Sequence, residues 1–172
     1  LPGCDVMVMK SDTEAAKPGE TGEIWLKADS MMKGYFKNPE ATAEAFSGPW
    51  YRTGDVARLD EDGYLFIVDR TKDMIVTGGE NVYSKEVEDA IAGHPDVMES
   101  AVIAVPHPEW GETVAAIIVP AKGKTLTAES LSAFLADKLA KFKIPRTFRF
   151  VESLPHTPSG KIMKYKLREE HQ

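Results

Sequence analysis

The stretch DRTKDMIVTGGENVYSKEVE, residues 69–88, marks a change in the character of the sequence. It begins with four charged residues in five positions, continues with the short apolar run MIVT, and then places two glycines before a helical pattern. Clusters of this kind are typical of a junction between structural elements. We therefore predict a domain boundary at residues 69–73, with one domain over residues 1–70 and another over residues 71–172.

The first part of the chain has the alternating apolar and polar residues of β-strands. Two strands are predicted at CDVMVM and EIWLKA. A hairpin is predicted at VARL and YLFIV, because Asp62 and Gly63 between them favour a tight turn. One short helix is predicted in NPEATAEAF, after an Asn-Pro turn. This part is therefore predicted to be rich in β-structure.

The second part is predicted to be a small α+β domain. Its apolar runs AVIAV and TVAAIIV are too continuous for half-exposed strands, so they belong inside a sheet of the three-stranded type, with MIVT and TFRFV as further strands. Two helices pack on this sheet. The first is capped by Ser84 and ends at Gly93, and the second is capped by Thr127. The apolar face of the second helix comprises Leu131, Phe134, Leu135, Leu139 and Phe142. A short last helix begins near Lys164.

Composition restricts the classes of function. The chain has 172 residues, is 42% hydrophobic and has a net charge of −6, so it can bury a core but lacks the basic surface that nucleic-acid binding requires. Its single cysteine, Cys4, excludes an intrachain disulfide and fits a reducing compartment. No signal peptide is recognised, and no apolar run reaches the roughly 20 residues of a transmembrane span. We therefore expect a cytoplasmic protein, and the start at Leu1 without a methionine predicts a fragment of a longer chain.

Several kinds of site are absent from the sequence. The four histidines have no metal-ligand spacing with one another or with Cys4, so no metal site is predicted. The stretch TPSGK resembles the end of a phosphate loop, but Pro155 occupies the position where that loop needs a glycine. No nucleophile elbow is present, and the two glycines of TGGENV do not complete a dinucleotide-binding fingerprint.

Three loops carry candidate site residues, and each has an ordinary alternative. In YRTGD, Asp55 can accept hydrogen bonds from two hydroxyls, as on a ribose, or can cap its own turn. Gly78 and Gly79 let a ligand pass close to the backbone, or form a common loop before a helix. Lys161 is displayed by the bend TPSG and can clamp a phosphate or carboxylate oxygen, or is a solvated surface lysine. Taken singly, each loop favours the ordinary alternative.

The order and spacing of these motifs together resemble the C-terminal part of the adenylate-forming enzymes. The motifs are GEIWLKADSMMKGYFKNPEATAEAF, YRTGD, DRTKDMIVTGGENVYSKEVE, PHPEWGE, KFKIP and PHTPSGK. Within that superfamily, which also contains peptide-synthetase adenylation domains and luciferases, the sequence most resembles the fatty-acyl-CoA ligases. The resemblance extends from about Gly22 to Arg168.

The resemblance implies a reaction in two steps. ATP and a carboxylic acid give an acyl-adenylate and diphosphate, and the thiol of coenzyme A (CoA) then gives the thioester and AMP. Residues 1–70 would be the distal β-rich part of the N-terminal adenylation domain, and residues 71–172 the mobile C-terminal lid. The partners would be these small molecules and a preceding domain that binds most of the Mg²⁺-ATP and the acid. Without that domain the 172 residues are expected to be inactive. The acid is expected to be a fatty acid, of the long- or medium-chain type, or an aryl acid.

Seven residues are given roles by the resemblance. Asp55 would bind both ribose hydroxyls of the nucleotide, and Arg70 would also contact the nucleotide. Lys72 would be the hinge between the two domains. Lys161 would be the catalytic lysine of adenylation, which meets the negative charge at the carboxylate and the α-phosphate. The remaining three belong to the CoA site: Gly78, Gly79 and Trp110.

Two residues near the CoA site each have two interpretations of equal weight. Trp110 contacts CoA in relatives, or is a partly buried aromatic under a loop. Glu88 steadies the Gly-Gly loop, or is a charge on a helix surface.

Three other functions are considered. A peptide-synthetase adenylation domain is disfavoured, because TGGENV differs from the loop that such domains carry. Luciferase-like oxygenation shares most of these residues and stays open. A non-catalytic binding module is disfavoured, since Asp55, Lys72, Gly79 and Lys161 are retained together.

Overall fold

The computed structural model describes residues 3–171, which form two compact units that divide between Lys72 and Asp73. The division falls within a short 3-10 helix, Thr71–Asp73. Along the described residues, no helix is both long enough and apolar enough to cross a bilayer.

The first unit is built on an antiparallel sheet. Within the described residues its elements are β1 (Cys4–Ser11), β2 (Glu14–Ala15), β3 (Thr21–Ala28), α1 (Pro39–Ala45), β4 (Phe46–Ser47), β5 (Trp50–Leu59) and β6 (Leu65–Arg70). The strands are ordered β2-β1-β3-β5-β4, and β6 also pairs with β5. Strands β1, β3, β5 and β6 and helix α1 confirm the predicted elements of this part of the chain.

Burial and local capping stabilise the first unit. The side chains of Val8 on β1 and of Ile24 and Trp25 on β3 are buried. Helix α1 begins after Asn38, whose side-chain oxygen accepts a hydrogen bond of 3.0 Å from the backbone N–H of Ala41. The turn before β6 contains Gly63 at φ +80°, as the predicted hairpin requires.

The second unit is an α+β domain, as predicted. Its elements are β7 (Ile75–Thr77), β8 (Glu80–Val82), α2 (Ser84–Ala92), β9 (Val97–His107), β10 (Gly111–Pro120), α3 (Ala128–Ala136), a 3-10 helix (Lys141–Lys143), β11 (Thr147–Phe150) and α4 (Lys164–His171). The sheet order is β11-β10-β7-β8, with β9 also paired to β10. Strands β10 and β11 are parallel, and the other pairs are antiparallel.

Strand β10 is buried on both faces, which is why its sequence is continuously apolar. Val114, Ala116 and Ile118 belong to one cluster, which continues into α2 and α3. The alternate residues of the strand belong to a second cluster, which includes Leu154 and Leu167. The segment that ends in Lys161 and the helix that follows it therefore cover the second face of the sheet.

The sheet is larger than the predicted three-stranded type, since within the described chain it has five strands. Four of the five fall on the segments predicted as strands, and the unpredicted one is β8. Gly78 and Gly79, at φ +58° and +85°, make a two-residue turn, and Thr77 pairs with Glu80 across it. Two glycines with positive φ between short extended runs are the signature of a β-hairpin, so a hairpin replaces the loop that the two glycines alone suggest.

Two helix predictions need correction. Tyr83, not Ser84, is the N-cap of α2; Ser84 is the first helical residue and is fully buried. Helix α3 has the predicted Thr127 cap but ends at Ala136, so Phe142 lies in a separate 3-10 helix with 38% of its surface exposed.

Candidate functional site

Lys161 lies at the end of a turn that is closed by its own hydrogen bonds. The backbone N–H of Thr157 donates to the carbonyl of Lys161 at 2.8 Å, and the N–H of Lys161 donates to the hydroxyl of Thr157 at 3.1 Å. Between them, the N–H of Gly160 donates to the carbonyl of Thr157 at 2.9 Å, and Gly160 has φ +82°. Lys161 itself is exposed. The turn therefore presents an ammonium group from a fixed backbone.

The residues on either side of this turn are attached to the second unit. His156 and Ile162 form an isolated antiparallel bridge at its base. Ile162 packs against the cluster that contains Leu154 and Leu167. Apolar contacts thus hold both the approach to the turn and the helix that follows it.

A second lysine, three residues after Lys161, is largely buried. Lys164, at the start of α4, lies 2.7 Å from the carboxylate of Glu88 and donates to the hydroxyl of Ser84 at 2.8 Å. Glu88 also accepts a hydrogen bond of 2.8 Å from the backbone N–H of Val102. The side chains of Lys164 and Glu88 are each only 16% exposed. Glu88 therefore connects α2 to β9 and α4; the alternative of a surface charge is wrong, and these contacts do not reach the Gly-Gly turn.

We expect Glu88→Gln to destabilise the second unit by about 3 kcal/mol, because it leaves the enclosed Lys164 ammonium without its countercharge. Native-state hydrogen exchange of the amides of β9 and β10 measures this unit by itself. Glu170→Gln, on the exposed side of α4, is the matched control. Equal protection in the Glu88 variant and the control would contradict the role given to Glu88.

Asp55 and Arg70 lie opposite each other on β5 and β6. The Nε of Arg70 donates to Oδ1 of Asp55 at 2.9 Å, and 31% of the Asp55 side chain is exposed. The preceding Gly54 has φ +72°, and the N–H of Asp55 donates to the hydroxyl of Thr53 at 3.1 Å. The two predicted nucleotide ligands are thus neighbours, and they place a guanidinium beside a carboxylate.

Glu23 holds the part of β5 that contains Gly54, and it was missed in the sequence. Its carboxylate accepts hydrogen bonds from the backbone N–H of Gly54 at 3.0 Å, from Nε of Arg52 at 3.2 Å and from Nε1 of Trp25 at 3.0 Å. Only 14% of the Glu23 side chain is exposed. An acidic residue at a half-buried strand position was the available signal, because such a charge needs partners.

Two tyrosines near Asp55 were also missed. A hydrogen bond to the Tyr35 hydroxyl raises the pKa of Tyr51, and burial and the negative charge of Asp55 raise it further. Tyr51 also contacts the ring of Phe46, at 5.5 Å between centroids. Tyr51 therefore stays a neutral hydroxyl on the strand that carries Asp55.

Trp110 lies against the Gly-Gly turn. Its carbonyl accepts a hydrogen bond of 3.2 Å from the N–H of Gly78, and a Cβ on Gly78 would lie 3.7 Å from the indole. The His107 ring stacks on the indole at 4.4 Å, and the Arg146 guanidinium lies 3.2 Å from the ring centroid. Groups this close to one centroid must occupy opposite faces, so a base that stacks on Trp110 has to displace either His107 or Arg146. Gly79, by contrast, faces open space.

The remaining predicted residue is Lys72. It lies in the 3-10 helix Thr71–Asp73, at the division between the two units. The next residue, Asp73, forms an ion pair with Arg168 of α4. The second unit therefore holds the chain firmly from Asp73 onward. As for metals, no group of three or more His, Cys, Asp or Glu side chains within residues 3–171 could hold an ion.

The chain is similar to several characterised proteins. Residues 86–161 match the family of the AMP-binding enzyme C-terminal domain. The chain is 47% identical to a feruloyl-CoA synthase of Amycolatopsis sp over 164 residues, which are 95% of this chain and 33% of that protein. It is 44% identical to the long-chain-fatty-acid–CoA ligase FadD13 of Mycobacterium tuberculosis over 167 residues, 97% of this chain and 33% of that protein.

Solved structures of similar enzymes also match the fold of this chain. The ATP-bound MatB of Rhodopseudomonas palustris superimposes with a TM-score of 0.91 at 41% identity, over 99% of this chain and 34% of that chain. The chain therefore spans about one third of the length of the proteins that it matches.

Proposed function

We propose that the chain works as the C-terminal third of an ATP-dependent acid–thiol ligase. The match of residues 86–161 to the family of AMP-binding enzyme C-terminal domains supports this proposal. The observation that carries the proposal is the Lys161 turn, which fixes an exposed cation on a closed backbone. A solvated surface lysine needs no such support. The relatives that share 44% and 47% identity are named as a CoA ligase and a CoA synthase.

In the proposed first step, a carboxylate oxygen of the acid attacks the α-phosphorus of ATP, and the bond from that phosphorus to the bridging oxygen breaks. Diphosphate leaves, and an acyl-adenylate remains. The Lys161 ammonium lies beside the carboxylate and the α-phosphate, where negative charge increases in the transition state. Asp55 accepts hydrogen bonds from both ribose hydroxyls, and Arg70 orients Asp55 and contacts the nucleotide.

In the proposed second step, the sulfur of CoA attacks the acyl carbon, the bond to the AMP oxygen breaks, and the thiol loses its proton. Gly78 and Gly79 line the channel for the pantetheine arm, since a backbone without side chains leaves room for it. Trp110 contacts CoA once His107 or Arg146 has moved from the indole face.

The two steps need different surfaces of the second unit, so we propose that it turns about Lys72 between them. Residues 1–70 then belong to the adenylation domain and residues 71–172 form the lid. The ion pair between Asp73 and Arg168 supports a pivot at Lys72, because it fixes the next residue to the lid. Mg²⁺ would arrive with ATP; the described residues offer no cluster for it.

We propose a long- or medium-chain fatty acid as the substrate of a cytoplasmic enzyme, and the resemblance to FadD13 supports this choice. Purified full-length protein, supplied with Mg²⁺-ATP, CoA and a panel of fatty and aromatic acids, tests the proposal through AMP and thioester release. Turnover of aromatic acids alone would reject the fatty-acid assignment, and no turnover of any acid would reject the ligase.

Asp55→Asn tests the nucleotide site in the same protein. Loss of charge-assisted hydrogen bonds to two hydroxyls costs about 1.5–3 kcal/mol, so we expect the KM for ATP to rise roughly 10–100-fold. The measurement is ATP–diphosphate exchange at varied ATP. Asp62→Asn, in the exposed turn before β6, is the control. An unchanged KM for ATP in the Asp55 variant would remove Asp55 from the nucleotide site.

A further inference from the structure

We propose that His156 is a positioning residue for Lys161, and that its protonated imidazole clamps the start of the Lys161 turn to β9 through Glu99. This inference rests on the proposed function, because the position of Lys161 matters only if Lys161 takes part in adenylation. It adds a residue that the motifs did not single out.

Both ring nitrogens of His156 face hydrogen-bond acceptors. Nε2 lies 2.6 Å from Oε1 of Glu99, and Nδ1 lies 2.8 Å from the carbonyl oxygen of Leu154. A carboxylate and a carbonyl only accept, so both bonds form only when both nitrogens donate. That condition describes the imidazolium form and neither neutral tautomer.

Two other histidines show the opposite arrangement. Nδ1 of His94 accepts from the backbone N–H of Asp96 at 3.2 Å, and Nδ1 of His107 accepts from the N–H of Glu109 at 3.2 Å. In both rings Nδ1 faces a donor, whereas in His156 both nitrogens face acceptors. The arrangement at His156 is therefore a local property of this site.

The clamp acts on the turn because of where it attaches. His156 directly precedes Thr157 and bridges to Ile162, so the two residues form the base of the Lys161 turn. Ile162 is held by the apolar cluster, and Glu99 lies on β9, where it pairs with Val119 of β10. Without the clamp, the nearest anchor on the approach to the turn is Leu154, two residues before His156.

The clamp depends on both N–H groups of the imidazole. The side chains of His156 and Glu99 are 33% and 31% exposed. Glu99 from β9 is the charged group that meets His156; from its own segment, His156 meets the Leu154 carbonyl, and no further ion pair to it is present in residues 3–171. A neutral imidazole has one N–H, so it can donate to only one of the two oxygens.

Half-reactions of the full-length protein test the proposal. We expect His156→Ala and Glu99→Gln to lower the kcat of ATP–diphosphate exchange about tenfold, since displacement of a catalytic group costs rate. The KM for ATP and thioester formation from supplied acyl-adenylate should stay at the wild-type values. His156→Lys keeps a cation that can pair with Glu99, so it should retain more of the exchange rate than His156→Ala. Glu152→Gln, an exposed acid in the same segment, is the control.

A spectroscopic measurement tests the clamp independently of the proposed ligase function. Long-range ¹H–¹⁵N spectra, assigned through His156→Lys, should show both nitrogens of His156 protonated at pH 6, and Glu99→Gln should remove that state near neutral pH. A neutral His156 at pH 6, or full exchange activity in His156→Ala, would overturn the clamp while the ligase proposal stands. Wild-type exchange in Lys161→Ala would overturn the proposed function, and the positioning role with it.

Discussion

Lys161→Ala is expected to lower the rate of acyl-adenylate formation about 10²–10³-fold, the usual loss for one positioned charge at a transition state. The ammonium is presented by a turn that is closed through three hydrogen bonds. Alanine at this exposed position leaves that backbone intact, because the bonds use main-chain atoms of Lys161 and not its side chain. ATP–diphosphate exchange in the full-length protein measures the first step. Thioester formation from supplied acyl-adenylate measures the second, which should be largely retained.

Lys166→Ala is the control for this variant, since Lys166 is an exposed lysine on the following helix. Lys161→Arg keeps the charge but spreads it over a larger planar group, so it should recover only part of the rate. Equal losses in both half-reactions of Lys161→Ala would contradict the assignment of Lys161 to adenylation. Equal effects of Lys161→Ala and Lys166→Ala would mean that general surface charge is responsible.

Local patterns were sufficient for most elements of the fold. The turn at Asp62 and Gly63 defines the hairpin of β5 and β6, and Asn38 and Thr127 cap the helices that follow them. The continuous apolar run of β10 predicted a strand that is buried on both faces. These features depend on neighbours in the sequence, and this is why sequence patterns report them.

Contacts between distant residues could not be predicted. Lys164 donates to Ser84, which is 80 positions away in the sequence, and it also forms an ion pair with Glu88. Nothing in the sequence indicated this ion pair, so Glu88 was predicted either to contact the Gly-Gly loop or to be a surface charge. Arg146 covers Trp110 only because β10 and β11 run in parallel, and no local pattern specifies that pairing.

The site residues show the same difference between features set by local sequence and features set by distant contacts. Asp55 and Arg70 were singled out separately, but their ion pair depends on the strand register of β5 and β6, which shifts between Val56 and Ala57. Glu23 and His156 were missed because their roles arise from partners on other strands. A motif can thus name the residue that meets the substrate, whereas the residues that hold it in place come from tertiary structure.

Gly79→Leu is expected to have the opposite effect to Lys161→Ala. The position faces open space, with no atom within 4 Å of the point that a Cβ would occupy, so a leucine side chain would project into the proposed path of the pantetheine arm. We expect thioester formation from supplied acyl-adenylate to fall roughly 10²-fold, because the thiol is displaced from its line of attack. ATP–diphosphate exchange should stay close to the wild-type rate, since that step does not use the channel.

Backbone strain is the competing explanation, because Gly79 has φ +85° and a leucine there costs about 1–2 kcal/mol. Gly123→Leu separates the two effects. Gly123 has φ +75° and also faces open space, but it lies in the turn between β10 and α3, away from the Gly-Gly hairpin. The two variants should lose similar stability in thermal unfolding, while only Gly79→Leu loses thioester formation. If Gly123→Leu slows that step equally, strain is the cause and Gly79 has no place in the channel.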